Sequence, residues 1–220
     1  MNKQQSKVYL VDDHPLVREW LTNLIDEQPD LTVCGEADSA ERAVRGIEES
    51  APDVAIVDLS LNEGSGLDVV KSIRNTHPNI AVIVLSMHDE RIYAERALRA
   101  GARAYIMKRE TTSNIIGAIH EVLSGKIHVS PQVAAGLAAK FVDGKMRAPR
   151  SPVEQLSDRE LEVFQMLGQG METRRIAQVL GVSIKTVQAY CARIKEKLDL
   201  ANATELLREA VRWNDRTVDA

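Results

Sequence analysis

Cysteine is scarce in this chain, with only Cys34 and Cys191 among 220 residues. The two lie far apart among unlike neighbours, so no disulfide is expected, and a reducing, cytoplasmic setting fits. No apolar run approaches the roughly 20 residues that span a bilayer, so no membrane anchor is expected. The opening run Lys7–Val11 leads straight into two acids, Asp12 and Asp13, which is too short and too acidic for a signal peptide. Internal repeats and low-complexity tracts are missing as well. The five histidines show no metal-ligand spacing and are expected at the surface or a pocket rim.

What is present is ordinary for globular protein: 44% hydrophobic and 27% charged residues, in a length that suits one or two domains. The net charge of −4 hides an asymmetry. Residues 1–128 hold 20 acids and 14 bases, whereas 129–220 hold 12 acids and 14 bases. Within 170–197 six bases (Arg174, Arg175, Lys185, Arg193, Lys195, Lys197) face two acids, Glu172 and Glu196. An acidic front half and a basic segment near the end imply two different tasks.

Short apolar runs at 7–11, 31–34, 54–57, 80–85 and 103–106 alternate with helical patterns at 15–25, 39–49, 67–75, 90–100 and 112–124. Five such alternations predict an α/β fold, a parallel sheet with helices on both faces. Strands apolar throughout suit a sheet covered on both sides. After Pro131 the alternation stops. Residues 132–142 read as one more helix with Val133, Leu137 and Phe141 on a face, and 143–152 read as a linker. From Ser157 everything is helical, beginning with a capping box, Ser157-Asp-Arg-Glu160, and Ser183 stands as an N-cap before Ile184.

In a parallel α/β sheet, ligands bind beyond the carboxyl ends of the strands. Asp12 and Asp13 follow the first strand, Asp58 the third, Ser86 ends the fourth, and Lys108 follows the fifth. Acids gathered there repel one another and need a cation, and their oxygens suit Mg2+, which also binds phosphate. A metal so placed can assist phosphoryl transfer to a carboxylate nucleophile. Any one of these acids read alone is equally a solvated loop residue. Five positions at matching strand ends weaken that alternative.

The segments VDDHPLVRE, VDLSLNEGSGLDV, VIVLSMHD and GARAYIMKR resemble the receiver domain of bacterial response regulators, a flavodoxin-like fold of five parallel strands. The resemblance implies that Asp58 accepts a phosphoryl group from a sensor histidine kinase. It implies that Mg2+ is held by Asp12, Asp13, Asp58 and the backbone carbonyl of Ser60. It further implies that Ser86 and Lys108 bind the phosphoryl oxygens and that Tyr105 is a switch that turns inward as Ser86 moves. Ser60 and His88, two residues beyond Asp58 and Ser86, occupy positions that tune dephosphorylation in the family. Many members have proline after the lysine. Here Arg109 follows, so a trans bond or a strained loop is expected, since a cis bond before a non-proline costs about 2.5–4 kcal/mol.

Residues 174–180, the turn Gly181-Val-Ser183 and residues 184–198 have a helix-turn-helix layout. Val187, Cys191, Ile194 and Leu198 form its buried stripe, with Cys191 as a small hydrophobe. Lys185, Thr186, Gln188, Ala189, Ala192 and Arg193 lie towards the other face, suited to the major groove of double-stranded DNA. Gln188 suits adenine and the alanines a thymine methyl, while Arg174, Arg175, Arg193, Lys195 and Lys197 suit phosphates. The stretch GQGMETRRIAQVLGVSIKTV resembles the effector domain of the NarL/FixJ/LuxR class, a small all-α helix-turn-helix domain. That resemblance implies a last helix, about 204–213, that serves homodimerisation through Leu206, Leu207, Ala210 and Val211. The chain departs from the class at Glu172-Thr-Arg-Arg175, where the helix loses a good N-cap.

The expected division is a receiver over 1–128, a partly helical linker over 129–152 and a DNA-binding domain over 153–220. The expected function is transcription control switched by phosphorylation and not enzymatic turnover. A phosphatase using Asp58 is the enzymatic alternative, but Asp58 is followed by Leu-Ser-Leu and lacks the Asp-x-Asp-x-Thr form. A regulator that uses its receiver only as a dimerisation scaffold, without phosphorylation, is the other.

Overall fold

The computed structural model describes residues 5–109, 112–142 and 152–218; the linker stretch 143–151 lies outside the described residues. Contacts divide the chain into two compact units, Met1–Ala135 and Gly136–Ala220.

In the first unit, strands β1 (Ser6–Val11), β2 (Leu31–Ala37), β3 (Val54–Val57), β4 (Ala81–Ser86) and β5 (Ala104–Met107) alternate with helices α1 (Pro15–Asp26), α2 (Ala40–Ser50), α3 (Gly66–Thr76), α4 (Glu90–Ala100) and α5 (Thr112–Leu123). The sheet is parallel, in the order β2-β1-β3-β4-β5. β3 and β5 are buried at every residue, as strands must be when helices cover both faces. Val8, Leu10, Ile56, Ile83, Leu85 and Ile106 point to one face and pack with Leu21 and Ile25 of α1 and Ile115 and Ile119 of α5. β2 runs three residues further than its apolar pattern predicts. Its pairing with β1 resumes after a register shift at Val8/Tyr9 and carries Gly35 to Ala37 into the ladder.

Because the chain steps from β1 outward to β2 and then back across to β3, the loops after β1 and β3 diverge and leave a crevice between them. Gly66, which opens α3, shapes this crevice. A methyl group there would overlap the backbone carbonyl of Asp58, so only glycine lets the chain fold back this closely.

Helix α6 (Pro131–Val142) follows. Val133 is buried and Leu137 half-buried, while the Phe141 side chain lies outside the described residues. The second unit has a short 3-10 helix (Pro152–Gln155) and helices α7 (Asp158–Gly168), α8 (Thr173–Val179), α9 (Ile184–Lys197) and α10 (Ala203–Val218). The capping box forms as expected, with the Ser157 hydroxyl accepting from the Glu160 amide and the Glu160 carboxylate accepting from the Ser157 amide. Its core gathers Leu161, Phe164, Ile176, Val187, Ile194, Leu206 and Ala210, and Phe164 meets Trp213 at a ring-centroid distance of 5.7 Å.

Gly168, the last residue of α7, sits against the backbone carbonyl of Ala210 in α10, where a side-chain methyl would overlap it. Gly168→Ala is therefore expected to push α10 outward and cost about 1–3 kcal/mol, the usual penalty of overpacking. Thermal unfolding of the variant checks this, and a raised midpoint would contradict it.

Candidate functional site

Strand register alone brings the pocket together. Val11 pairs with Val57, and the Asp58 amide donates to the Val11 carbonyl at 2.8 Å, so Asp12 and Asp58 leave the sheet side by side. Ser86 pairs with Met107, and the Lys108 amide donates to the Ser86 carbonyl at 2.8 Å, which sets Lys108 next to Ser86. Asp12 and Asp58 are each 3% exposed and Ser86 is fully buried. The Lys108 ammonium lies 2.6 Å from Oδ2 of Asp58 and 2.6 Å from Oδ2 of Asp12. The Ser60 amide donates to Asp58 Oδ1 at 3.1 Å.

Electrostatics follow from this packing. Burial is the largest influence on Asp58 and pushes its carboxyl up, Lys108 pulls it back, and the balance leaves a pKa of about 6. Burial works against the Lys108 charge, but Asp58 and Asp12 outweigh it and hold the ammonium above its ordinary value. The pair is thus a compromise: one lysine faces two buried acids and cannot satisfy both fully.

Asp12, Asp13, His14 and Asp58 each offer an atom within 4.8 Å of the others. His14, one of the histidines expected at the surface or a pocket rim, stands exposed beside these acids. Its Nδ1 lies 3.1 Å from Asp12 Oδ1 and 2.8 Å from Asp13 Oδ1, but the approach to Asp13 is off the hydrogen-bond direction. Asp13 Oδ1 is consequently buried with no hydrogen-bond partner. A buried carboxylate oxygen left over in a cluster of acids fits a hard divalent cation. Arg18 adds a guanidinium bond to the Asp12 carbonyl at 2.7 Å, another contact that spacing did not reveal.

Over the pocket, His88 is held at several points. Its amide donates to the Ser86 hydroxyl at 3.2 Å, its Nε2 shares a 2.6 Å hydrogen bond with Ser60 Oγ, and its ring stacks on Tyr93 at 4.7 Å. Burial, helped by Lys108, lowers the His88 pKa to about 4, so the ring is neutral near pH 7. Tyr105 is 2% exposed, with its hydroxyl donating to the His88 carbonyl at 2.8 Å, so its ring faces inward. Burial raises its phenol pKa well above the ordinary value. The Lys108–Arg109 bond is trans.

In the second unit, α8, the turn and α9 lie where the pattern predicts, and Ser183 caps α9 by accepting from the Thr186 amide at 3.1 Å. Arg174, Arg175, Lys185, Gln188, Ala189, Ala192 and Arg193 are exposed, and Lys195 is half-buried. Two of the basic and polar positions are engaged internally. The Thr186 hydroxyl bonds Ser183 Oγ at 2.8 Å, and the Lys197 ammonium lies 2.6 Å from Glu160 Oε2 and 3.3 Å from the Gln155 carbonyl. Glu172 stands at the N-cap of α8 with no side-chain capping bond, as its departure from the class implies. Leu206 and Ala210, expected on a free face of α10, are buried, because the helix turns them into the core beside Trp213. Leu207 and Val211 remain exposed at 46% and 38%. Both cysteines are free, and burial raises both thiol pKa values.

Among the described residues no helix is long and apolar enough to cross a membrane. Residues 8–120 match the response regulator receiver domain family, and residues 154–210 match the luxR family of bacterial regulatory proteins. The response regulator GacA of Pseudomonas syringae is 34% identical over 94% of this chain and 95% of its own. The transcriptional regulatory protein UhpA of Salmonella typhimurium is 37% identical over 90% of this chain and 94% of its own. Among solved structures, a LuxR-family two-component response regulator from an Aurantimonas species is 32% identical, with a TM-score of 0.58 over 63% of this chain and 99% of that one. RcsB from Salmonella enterica, bound to a promoter in the presence of the phosphomimetic BeF3−, shares the fold at 23% identity, with a TM-score of 0.69 over 94% of this chain and 98% of that one. These matches set the phosphatase alternative aside, because they account for both units where an enzyme accounts for one. With each unit matched and full-length relatives sharing about a third of their residues, the chain belongs to the two-component response regulators that join a receiver domain to a LuxR-type DNA-binding domain.

Proposed function

We propose that Asp58 is the phosphoacceptor, and that phosphorylation there controls dimerisation and sequence-specific DNA binding in the cytoplasm. One observation carries the reading: a buried carboxylate at a strand end, with a lysine ammonium 2.6 Å from its Oδ2 and a buried serine at the end of the next strand in the sheet. An Asp58 oxygen attacks the phosphorus of a phosphohistidine on the sensor kinase. The P–N bond breaks as the P–O bond forms, and the departing imidazole takes a proton from solvent. Asp12, Asp13, Asp58 and the Ser60 carbonyl would hold Mg2+, which supplies charge neutralisation for the phosphoryl oxygens when bound. Lys108, released from the Asp58 carboxylate, pairs with a phosphoryl oxygen, and the Ser86 hydroxyl turns from the His88 amide to donate to another. Tyr105, already inward, holds the β4–α4 segment in place by its bond to the His88 carbonyl. The new charge thereby biases a two-state packing.

The receiver is assigned to about 1–128, the linker to 129–152 and the DNA-binding domain to 153–220. The exposed side of α9 enters the major groove, with Lys185, Gln188, Ala189 and Ala192 towards base edges. Arg174, Arg175, Arg193 and Lys195 neutralise phosphates, while Thr186 and Lys197 shape the helix ends that present them. Leu207 and Val211, one turn apart and exposed, supply the apolar contact between two copies.

The test uses duplexes selected by the phosphorylated protein from a random pool. Phosphorylated wild type is expected to bind the selected duplex at least about tenfold more tightly than Asp58→Asn, a difference of about 1.4 kcal/mol. The double variant Leu207→Glu/Val211→Glu should lose that advantage. Equal affinity of all three proteins would contradict the proposal and favour the scaffold alternative.

A further inference from the structure

Beyond β5 the chain does something the pocket chemistry does not require. After α5 it returns to the open edge of the sheet. The His128 amide donates to the Arg103 carbonyl at 2.9 Å and the Tyr105 amide donates to the His128 carbonyl at 3.1 Å, a parallel bridge at Ala104. The His128 ring is tied back to Glu121 of α5 at 2.9 Å. Two residues on, the Ser130 hydroxyl serves two helices at once. It accepts from the Val133 amide at 3.2 Å, capping α6, and donates to Glu90 Oε1, in the first turn of α4, at 2.7 Å.

Tyr105 therefore grips the pocket side by its hydroxyl, on the His88 carbonyl, and the 128–130 segment by its backbone. Glu90 lies two residues beyond His88. A shift of the segment between β4 and α4 thus meets the cap of α6 by two short routes, one through Tyr105 and His128 and one through Glu90. Helix α6 is the element through which the chain continues toward the DNA-binding domain.

We propose that Ser130 is a positioning residue that couples the state of the phosphoacceptor pocket to the first turn of α6, through its hydrogen bond to Glu90. The inference rests on the reading of Asp58 as phosphoacceptor. An N-cap that only caps needs an acceptor for the helix amides. This one also donates to a second helix, whose start follows the residue that Ser86, Ser60 and Tyr105 hold.

Substitutions separate capping from coupling. Ser130→Asp keeps a good N-cap but cannot donate to Glu90 and repels it. Glu90→Ala leaves the cap untouched and removes the acceptor, while Glu90→Gln keeps an acceptor oxygen. The measurement is amide hydrogen exchange at Val133 and Ala134 by NMR in the full chain, with and without BeF3− and Mg2+. In wild type and Glu90→Gln, BeF3− should change the exchange rate at these amides by at least about fivefold, the lower end of ordinary coupling strengths. In Glu90→Ala and Ser130→Asp the resting rates should stay near wild type and the response should vanish. An undiminished response in either of those two variants would overturn the proposal. Fluorine NMR of bound BeF3− distinguishes the remaining outcomes. Bound fluoride with no response in wild type overturns the coupling alone, and no bound fluoride overturns the phosphoacceptor reading and the coupling with it.

Discussion

Asp58→Asn is expected to make the metal-free protein more stable at pH 7.5, by about 1–2 kcal/mol. Folding carries the Asp58 carboxyl from its ordinary 3.8 to about 6, with burial as the main cause. The folded state then holds more protons than the unfolded state between those values, so stability falls as pH rises through that window. A rise of that size corresponds to about 3 kcal/mol, fully felt above pH 6. Asparagine keeps the shape and removes the charge. That figure already includes the pull of Lys108, which keeps Asp12 at 2.6 Å. Part of the gain is lost because the asparagine amide has one acceptor oxygen where the carboxylate has two, one meeting the Ser60 amide and one meeting Lys108. Chemical denaturation in the presence of a chelator checks this at two pH values. The difference from wild type should be present at pH 7.5 and nearly gone at pH 4. Saturating Mg2+ should shrink or reverse it, by stabilising the wild-type cluster of three carboxylates more than the variant. A destabilised variant at pH 7.5 without metal would contradict the account of the pocket as an acidic site short of cations.

Glu160→Ala should cost the DNA-binding domain about 1–3 kcal/mol, the range for taking a buried acceptor away from its hydrogen-bond donors. Glu160 is 3% exposed and accepts from the Ser157 amide at 2.8 Å and from the Lys197 ammonium at 2.6 Å. Burial opposes its charge, but Lys197 and the Ser157 bonds prevail and hold the carboxyl below its ordinary value. The sign is therefore opposite to that of Asp58: this contribution is present at neutral pH and lost as the pH falls through the acid range. Because Lys197 ends α9, losing Glu160 also frees the end of that helix from α7. Unfolding followed through Trp213, which packs on Phe164, reports the loss. A change below about 0.5 kcal/mol, typical of surface positions, would show that this ion pair contributes no more than a solvent-exposed one.

The contrast between Glu160 and Asp58 marks what sequence reading reaches. The strands were legible because β1, β3, β4 and β5 are covered on both faces and so appear as unbroken apolar runs. Asp12, Asp13, Asp58, Ser86 and Lys108 were legible because a parallel sheet places all its strand ends on one side, so chain position fixes where they stand. The helix-turn-helix was legible from Ser157, Ser183 and the stripe Val187, Cys191, Ile194. Contacts made by long side chains across the fold were not. Lys197, met as a base in a basic segment, looks like a phosphate contact, and its partner Glu160 is 37 residues away. Leu206 and Ala210 carry the same apolar signal as Leu207 and Val211, and only the rotation of α10 decides which pair is buried. The roles of Gly66, His14, Arg18 and Ser130 depend on backbone proximity or on a second partner, neither of which has a local sequence signature.

The central claim is that Asp58 takes a phosphoryl group, and intact mass after incubation with Mg2+ and a small phosphodonor tests it most directly. The account predicts one phosphoryl adduct on wild type and none on Asp58→Asn, with the adduct lost in Mg2+-free buffer. A folded wild-type protein that stays unmodified with Mg2+ present, or an Asp58→Asn variant that gains the same adduct, would contradict it.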